Sequence, residues 1–357
     1  IGGYSPALEL VLKAIENGKH VVTANKALIA THGNEIFAAA QRQGVTVAFE
    51  GAVAGGIPII KSMREGLAAN QIEWVAGIIN GTSNFILTEM LLENRDFKDV
   101  LIEAQALGYA EANPAFDIEG IDAAHKLTIL ASIAFGIPLQ FDKVYVEGIT
   151  AIERQDVAYA AELGYKIKHL GITSRNNGGV ELRVHPALIP HRRLIANVDG
   201  VMNAVLVKGD AVGPTLYYGA GAGAEPTASA VIADIIDVVR ALTTDPNNRV
   251  PHLAFQSTAI SDIAILPMEA VETGYYLRVN AVDRPGVLSD ITTILGDQGI
   301  SIEAIIQKEP EEDATHVPVI LLTQKVLEKN MNEAILKIED LDTINGKVRR
   351  IRVESLA

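Results

Sequence analysis

The chain has 357 residues, of which 48% are hydrophobic, so it can hold two or more domains with sizeable cores. Its 44 acidic and 30 basic residues give a formal net charge of −14, which argues against nucleic acid or an anionic membrane as a partner. No apolar run reaches about 18 residues without a charge, so we expect no membrane span. The absence of cysteine excludes disulfides, thiolate metal sites and a cysteine nucleophile, and we expect a cytoplasmic protein.

Short strands alternate with helices near the N-terminus. Strand patterns at 20–23 and 45–49 flank a helical pattern at 31–43. This spacing is typical of βαβ units with a parallel sheet. We therefore expect an α/β protein in which residues 1–56 are the second half of a doubly wound, NAD(P)-binding Rossmann domain. The first half would need about 80 further residues before Ile1.

The middle of the chain mixes strands, loops and helices. A strand pattern at 72–79 precedes a helix that begins near residue 80, and a long helix is predicted at 226–242 after a glycine-rich loop. We assign residues 57–270 to an α+β domain for substrate binding, catalysis and dimerisation. The helix at 226–242 is expected to return to the dinucleotide-binding domain.

The pattern changes from residue 275 onward. Strand, helix, strand, strand, helix and strand follow one another within about 80 residues, which is the order of a ferredoxin-like unit. We place this appended domain at 275–357. Its acidic segment at 309–313 is interpreted as a solvated hairpin tip.

The most informative stretch is the predicted helix at 121–135, which Gly136 ends. Its apolar residues cover most of the circumference, so we expect it to be buried nearly all round. It nevertheless carries Asp122 and Lys126, which lie four apart on one face. At a surface such a pair is worth about 0.3–0.5 kcal/mol, but a buried lysine costs several kcal/mol unless it is paired or loses its proton.

Two more carboxylates, Glu111 and Asp117, lie in the loop before this helix. We expect three carboxylates and one lysine to converge at the head of the helix. Such a site suits a substrate with a cationic group, and Lys126 would do acid/base work because a desolvated lysine exchanges protons near neutral pH. The alternative is an ordinary ion pair without chemistry.

Two segments that follow predicted strands are candidate ligand sites, because ligands collect at the carboxyl ends of parallel strands. The glycine-rich segment 50–58 begins with Glu50, and its carbonyls and carboxylate suit a hard cation. A tight strand-to-helix connection with an exposed Glu50 is the alternative. Lys26 either meets a cofactor or substrate or is a solvated surface lysine.

Two further segments allow both a functional and a structural interpretation. The turn at 80–84 opens a helix, where backbone N–H groups bind carboxylate or phosphate, although a plain cap by Thr82 or Ser83 explains it as well. The glycine repeat at 219–223 is similar to a phosphate-binding loop but does not directly follow a strand of a βαβ unit. Close helix packing explains these glycines equally.

Taken together, these stretches resemble homoserine dehydrogenase of the monofunctional kind with a C-terminal ACT domain. The resemblance runs along the whole chain and is carried by TANKAL, EGAVAGGIPII, GIINGTSNFIL and GYAEANPAFDIEGIDAAHKLTIL, with DRPGVLSDI and GISIEAIIQKE in the ACT part. It implies NAD- or NADP-dependent interconversion of L-homoserine and L-aspartate 4-semialdehyde in threonine, methionine and isoleucine biosynthesis. It also implies a homodimer or homotetramer.

The resemblance implies roles for individual residues. Lys126 matches the acid/base of the family, and Lys26 matches a second lysine at the junction of cofactor and substrate. Glu111 and Asp122 match substrate-binding positions, to which we add Asp117 and Thr82 as expected substrate contacts.

Three other sets of residues also match family positions. The cofactor-proximal glycines are matched by Gly108, Gly221 and Gly223. A sodium site is matched by Glu50 with the backbone oxygens of Val53, Gly55 and Ile57. The effector loop of ACT domains is matched by Asp283, Arg284 and Gly286, and threonine is the expected effector.

The sequence departs from the family in one respect. The glycine fingerprint of a dinucleotide-binding domain and the residue that contacts the ribose are missing, so the choice between NAD and NADP is not predicted. Two other functions stay open. One is an amino-acid sensor whose ACT unit binds an effector without turnover. The other is an ACT-bearing dehydrogenase for a phosphorylated hydroxy acid, which would need an anion site that we do not find.

Overall fold

The computed structural model describes residues 1–176, 178–308 and 315–356, so the predicted hairpin tip at 309–313 lies outside the described residues. The helices are α1 (Ala7–Glu16), α2 (Lys26–Gln43), α3 (Ile59–Lys61), α4 (Gly81–Leu92), α5 (Phe97–Ala106), α6 (Ala115–Ile118), α7 (Ile121–Phe135), α8 (Arg154–Glu162), α9 (Ala224–Ala241), α10 (Val287–Asp297) and α11 (Glu328–Glu339). The strands are β1 (Val21–Val22), β2 (Val47–Ala48), β3 (Ile72–Ile78), β4 (Tyr145–Val146), β5 (Tyr165–Asn176), β6 (Gly179–Pro190), β7 (Met202–Gly209), β8 (Gly213–Ala220), β9 (Glu272–Val282), β10 (Ile302–Gln307), β11 (His316–Thr323), β12 (Val326–Leu327) and β13 (Arg349–Val353).

Contacts between residues divide the chain into two compact units. The first comprises residues 1–151, 169–185 and 197–265, and the second comprises residues 152–168, 186–196 and 266–357. The long strands β5 and β6 contribute residues to both units. The three predicted domains are a finer division, and their boundaries stay predictions.

The first unit holds two sheets. Strands β1 and β2 pair in parallel, with Val21 opposite Val47, and α1 and α9 contact this pair. The larger sheet has the order β4, β6, β5, β3, β7, β8, in which β3 runs antiparallel to both β5 and β7. This arrangement places the C-terminal end of β3 beside the start of β7 and the end of β8, because Ile78 pairs with Ala204 and Met202 pairs with Ala220.

Helix α7 is the buried centre of the first unit. It begins after Gly120, ends at Gly136 and contacts both β3 and α2. Every residue from Asp122 to Phe135 is buried, so the predicted burial on all sides is confirmed. The polar groups of this helix must therefore find partners inside the protein.

The second unit contains the predicted ferredoxin-like order of strands and helices. Strands β10, β11, β9 and β13 lie side by side and antiparallel in that order. Alternate residues of β9, including Tyr275, Leu277 and Val279, share one core with apolar residues of α10 and α11. The predicted fold of this domain is thus confirmed.

Helix α2 differs from its predicted bounds. The sequence pattern suggests a start at residue 31, but the helix begins at Lys26 because the side chain of Asn25 caps it and accepts the Leu28 N–H at 3.1 Å. Lys26 therefore lies on the first turn of a helix. Among the described residues, no helix combines the length and apolar character that crossing a membrane requires.

Candidate active site

Lys126 lies on the second turn of α7, and its side chain is only 10% exposed. Its Nζ lies 2.7 Å from Asp122 Oδ2 and donates a hydrogen bond to the backbone oxygen of Ile79 at 2.6 Å. Because Ile79 directly follows β3, the ammonium group is fixed between a helix and the end of a strand. An ammonium has three N–H groups, so one remains for a bound molecule.

Asp122 is the centre of the charged cluster and is 3% exposed. Its Oδ2 accepts hydrogen bonds from Lys126 and Asn80, and its Oδ1 lies 2.9 Å from Lys26 Nζ. Burial acts to raise the pKa of this carboxyl group, but the two ammonium groups and the hydrogen bonds outweigh burial and hold the pKa below its ordinary range. Asp122 is therefore ionised at neutral pH and is the counter-ion of both lysines.

Asn80 connects this cluster to the turn between β3 and α4. Its Oδ1 accepts the Ser83 N–H at 2.8 Å, so Asn80 caps α4, whereas the sequence suggested Thr82 or Ser83. Its Nδ2 donates to Asp117 Oδ1 at 2.7 Å and to Asp122 Oδ2 at 2.9 Å. One amide thus holds two carboxylates.

Asp117 is the second carboxylate of the cluster and is half-buried. Burial and, to a smaller extent, the nearby charge of Asp122 raise its pKa, although the hydrogen bond from Asn80 acts in the opposite direction. Its Oδ2 lies 3.5 Å from Thr82 Oγ1, which donates a much shorter bond of 2.6 Å to the backbone oxygen of Tyr109. This oxygen of Asp117 can still accept a strong hydrogen bond from a ligand.

Glu111 does not join the other two carboxylates in this structure. Its side chain is exposed and makes no hydrogen bond or ion pair with any described residue, while its backbone oxygen accepts a bond from Gln105 at 3.1 Å. The expected convergence of three carboxylates is thus found for Asp117 and Asp122 alone. A substrate-binding role for Glu111 stays a prediction.

Lys26 links the charged cluster to an open cleft. The cleft has a volume of about 580 Å³ and is lined by Gly3, Tyr4, Thr23, Lys26 and Phe116, among others. It lies at the carboxyl end of β1, where doubly wound sheets bind their ligands. Lys26 Nζ lies 5.8 Å from the centre of the Phe116 ring and, through Asp122, is one carboxylate away from Lys126.

His125 lies beside the cluster but is not a proton source. It is buried, stacks on Phe141 with ring centres 4.1 Å apart, and its Nε2 lies 3.3 Å from the hydroxyl of Tyr4. Burial is the main cause that lowers its pKa to about 4, so the ring is neutral near neutral pH.

The predicted cofactor glycines fall into two places. Gly221 and Gly223 lie between β8 and α9, and a Cβ on Gly221 would come within 1.9 Å of Asn203 Oδ1. A Cβ on Gly55 would come within 2.5 Å of the backbone oxygen of Gly221. Two loops therefore pack backbone to backbone here. Gly108 lies elsewhere, in the turn after α5, with a φ of +76° and no atom near its missing side chain.

The predicted cation site is built around Glu50, which is 6% exposed, so the alternative of an exposed Glu50 is wrong. Its carboxylate accepts the N–H groups of Ile60 and Lys61, both at 2.9 Å, and burial raises its pKa to about 7. The described residues contain no cluster of three or more acidic, histidine or cysteine ligands for a metal.

The backbone around Glu50 supplies hard oxygen donors. The carbonyl oxygens of Val53 and Gly55 accept no backbone hydrogen bond from any described residue, whereas that of Ile57 accepts the Ile59 N–H at 2.7 Å. Carbonyl oxygens beside a buried carboxylate fit a monovalent cation. Two of the four predicted groups, the Glu50 carboxylate and the Ile57 carbonyl, are therefore already hydrogen-bonded within the protein. The carbonyl oxygens of Val53 and Gly55 remain available.

The predicted effector residues lie in the second unit, in the turn between β9 and α10. Asp283 Oδ1 accepts a hydrogen bond from Gln307 at 3.3 Å, and Gly286 adopts a φ of +100° at the start of α10. Both residues and Arg284 are exposed. The structure brings these three together on one turn and leaves their role as an effector site a prediction.

Comparison with known proteins decides the family. The family model for homoserine dehydrogenase matches residues 58–236, that for its NAD binding domain matches residues 1–50, and that for the ACT domain matches residues 275–340. A homoserine dehydrogenase of Pseudomonas aeruginosa is 69% identical over 356 residues, covering 100% of this chain and 82% of that protein. The chain belongs to the homoserine dehydrogenase family.

Further members agree with this assignment. A homoserine dehydrogenase of Neisseria gonorrhoeae is 59% identical, covering 99% of this chain and 81% of that protein. The crystal structure of a homoserine dehydrogenase from Thiobacillus denitrificans has 69% identity and a TM-score of 0.96, covering 100% of this chain and 81% of that one. A structure of the Staphylococcus aureus homoserine dehydrogenase has 29% identity and a TM-score of 0.75, covering 99% and 80%.

Membership confirms the resemblance found in the sequence, the mixed α/β class and the presence of an ACT domain. This member of the homoserine dehydrogenase family is an oxidoreductase that acts on a hydroxyl group with NAD or NADP. Lys26 falls in the segment matched by the NAD-binding model, and Asp122 and Lys126 fall in the segment matched by the homoserine dehydrogenase model.

Asn80 is the residue that sequence reasoning missed. The motif NGTSN indicated a helix start, but the two carboxylates that its amide holds lie 37 and 42 residues further along the chain. Only the position of Asn80 directly after a predicted strand and at a helix start hinted at such a contact.

Proposed function

We propose that this protein interconverts L-homoserine and L-aspartate 4-semialdehyde, with Lys126 as the acid/base group. The single observation that carries the proposal is the position of the Lys126 ammonium. It is almost removed from water, fixed by Asp122 and by the backbone oxygen of Ile79, and has one N–H to spare.

A fixed ammonium accounts for the proton in this reaction. When the aldehyde is reduced, its oxygen gains negative charge, and Lys126 donates the spare proton to it and becomes a neutral amine. In the oxidation of homoserine the amine takes that proton back. The ionised carboxylate of Asp122 holds the Lys126 nitrogen in place through their contact at 2.7 Å.

The cofactor would lie in the cleft at Lys26, at the carboxyl end of β1. NAD or NADP, when bound, supplies or accepts the hydride. Lys26 would lie at the junction of cofactor and substrate, and Gly108, Gly221 and Gly223 would allow close approach of the cofactor to the backbone. Support for this arrangement comes from the short path Lys26, Asp122, Lys126.

Asp117, Thr82 and Glu111 would bind the substrate. Homoserine carries an ammonium group, and Asp117 offers it a half-buried carboxylate oxygen whose other partner within the described residues is distant. Glu111 is exposed and would reach the substrate after a movement of its loop. Asp122 would act on the substrate through the two lysines that it holds.

Sodium would bind the loop that starts at Glu50. The carbonyl oxygens of Val53 and Gly55 would be its first donors, joined by that of Ile57, while the Glu50 carboxylate supplies negative charge and holds the following helix start. Bound there, the ion would fix the loop that packs against Gly221.

The ACT domain would regulate the enzyme. Threonine is the effector that we propose, bound at the turn of Asp283, Arg284 and Gly286, in an enzyme of threonine, methionine and isoleucine biosynthesis that acts as a homodimer or homotetramer. In this proposal the amino-acid sensor considered in the sequence analysis becomes the regulatory domain of the enzyme.

A direct assay tests the proposal. Homoserine-dependent reduction of NAD⁺ or NADP⁺ should be measurable with the complete protein and should fall by about 10²–10⁴-fold in Lys126→Met. Lys98→Met, which removes an exposed lysine of α5, is the matched control and should keep full activity. Full activity of a folded Lys126→Met variant would refute the assignment.

A further inference from the structure

Asn80 is the point at which a helix start and the charged cluster meet. Its side chain is almost fully buried at 5% exposure, and it follows β3 directly at the N-terminus of α4. Its orientation is fixed by chemistry, because Oδ1 accepts the Ser83 N–H and the NH₂ group faces two carboxylates. A carboxylate only accepts hydrogen bonds, so the reversed amide would place its oxygen against both carboxylates and remove these two hydrogen bonds.

The amide uses its full donor capacity on the two acids. One N–H reaches Asp117 at 2.7 Å and the other reaches Asp122 at 2.9 Å. Two carboxylates that face one amide repel one another, and since Lys26 and Lys126 already hold Asp122 ionised, Asp117 is the one that would otherwise take up a proton. The two N–H groups between them favour the ionised form of both.

The neighbour of Asn80 completes the arrangement. Ile79 gives its backbone oxygen to Lys126 Nζ at 2.6 Å, while Asn80 holds the carboxylate oxygen to which the same Nζ donates at 2.7 Å. Two consecutive residues at the end of β3 therefore fix Lys126 and its counter-ion together.

We propose that Asn80 is a positioning residue that keeps Asp117 and Asp122 ionised side by side. Asp122 then remains the counter-ion of the two lysines, while Asp117 binds the ammonium group of the substrate. The inference rests on the proposed function of Lys126 and adds a residue outside the set predicted from the sequence. Asn80 does not line the cleft at Lys26, and it acts through the two carboxylates.

The substitution Asn80→Ser separates the two roles of this side chain, which are the capping of α4 and the bridging of two carboxylates. Serine still caps a helix, so α4 keeps its start, but it cannot bridge two carboxylates. Without the two N–H groups the pKa of Asp117 and of Asp122 rises. The acid limb of the kcat/KM profile for homoserine, which reports the free enzyme, should move to higher pH by about half a unit or more. At pH 6 kcat/KM should fall about threefold or more, with a much smaller loss at pH 8.5.

Asn80→Asp tests the same idea with an isosteric cap. It places a third carboxylate next to Asp117, so that the new carboxylate and Asp117 share a proton. The acid limb should therefore move further than in Asn80→Ser. Asn17→Ser removes an exposed amide just after α1 and is the control that should leave the profile unchanged. Thermal unfolding of each variant across the same pH range shows whether the fold is kept.

The outcomes separate this inference from the function on which it rests. A profile of Asn80→Ser that coincides with the wild type, with or without a lower melting temperature, overturns the role of Asn80 and leaves Asn80 a simple helix cap. If Lys126→Met keeps full turnover, the proposed function itself fails. Loss of activity in Lys126→Met with a shifted acid limb in Asn80→Ser supports both.

Discussion

Asp122 and Lys126 lie one helical turn apart, and their side chains meet at 2.7 Å inside the protein. On a surface helix this spacing gives a weak, solvated ion pair. Here the helix is buried on every side, and the carboxylate is 3% exposed. The same sequence spacing therefore yields a strong and directional contact, because water does not compete for it.

Asp122→Asn should destabilise the protein. The substitution leaves the Lys126 ammonium buried without its counter-ion, and we expect the free energy of unfolding at pH 7 to fall by about 3 kcal/mol. The folded-state pKa of Asp122 lies below the ordinary value, so this stabilisation is present above that ordinary value and is lost as the pH falls through the folded one. Urea unfolding of both proteins at pH 7 and at about pH 2.5, which lies below the ordinary pKa of 3.8, measures the difference. A constant difference at both values would contradict the expectation.

Glu111→Gln should affect binding and leave stability alone. The side chain is exposed and makes no hydrogen bond or ion pair with a described residue, so the free energy of unfolding should change by less than about 0.5 kcal/mol. If Glu111 closes on the ammonium group of the substrate, KM for homoserine should rise about tenfold, while KM for the cofactor stays the same. Glu93→Gln, another exposed glutamate, serves as the control. Equal KM values for both variants would remove Glu111 from the substrate site.

Sodium should stabilise the protein more as the pH rises. Burial raises the folded-state pKa of Glu50 to about 7, above its ordinary value of 4.5. Its contribution to stability is therefore complete below about pH 4.5 and is lost as the pH rises through about 7. In choline chloride we expect a loss of about 1–3 kcal/mol over this range relative to Glu50→Gln, and sodium chloride at equal ionic strength should offset it. Identical curves in the two salts would argue against a cation at this loop.

Gly221→Ala should disturb the loop before α9. The added methyl group would lie 1.9 Å from Asn203 Oδ1, so the loop or the asparagine has to move, at a cost of about 1–3 kcal/mol. Gly213→Ala, at the other end of β8, meets no atom within 4 Å and pays only for its φ of +73°. We expect Gly221→Ala to raise KM for the cofactor and Gly213→Ala to leave it unchanged.

A double variant shows whether the clash is the cause. Asn203 is 1% exposed, and neither polar atom of its amide has a partner among the described residues. Replacing it with alanine in the Gly221→Ala background should restore most of the lost stability, since it removes the obstructing group. Additive losses in the double variant would place the effect of Gly221→Ala elsewhere.

The elements of strongest local character could be predicted from sequence. Helix α7 has its predicted bounds because Gly136 ends it and apolar residues cover it. The start of α2 was missed, since the cap by Asn25 is decided by a side-chain rotation that a pattern does not show.

The candidate site could be predicted in part. Lys126, Asp122 and Lys26 were found, and the structure joins them through one carboxylate. Asn80 was missed and Glu111 was placed too close, because proximity along the chain sets neither the direction of an exposed side chain nor contacts between residues about 40 positions apart. These depend on how β3, α4 and α7 pack.

The two lysines that contact Asp122 lie on different helices. Lys126 shares a rigid helix with the carboxylate, so thermal motion of neighbouring segments leaves their separation intact. Lys26 arrives from α2 and is about one third exposed, so its distance to Asp122 changes whenever α2 shifts against α7. A molecule bound in the cleft beside Lys26 would therefore change the electrostatic potential at Lys126, because both ammonium groups contact Asp122.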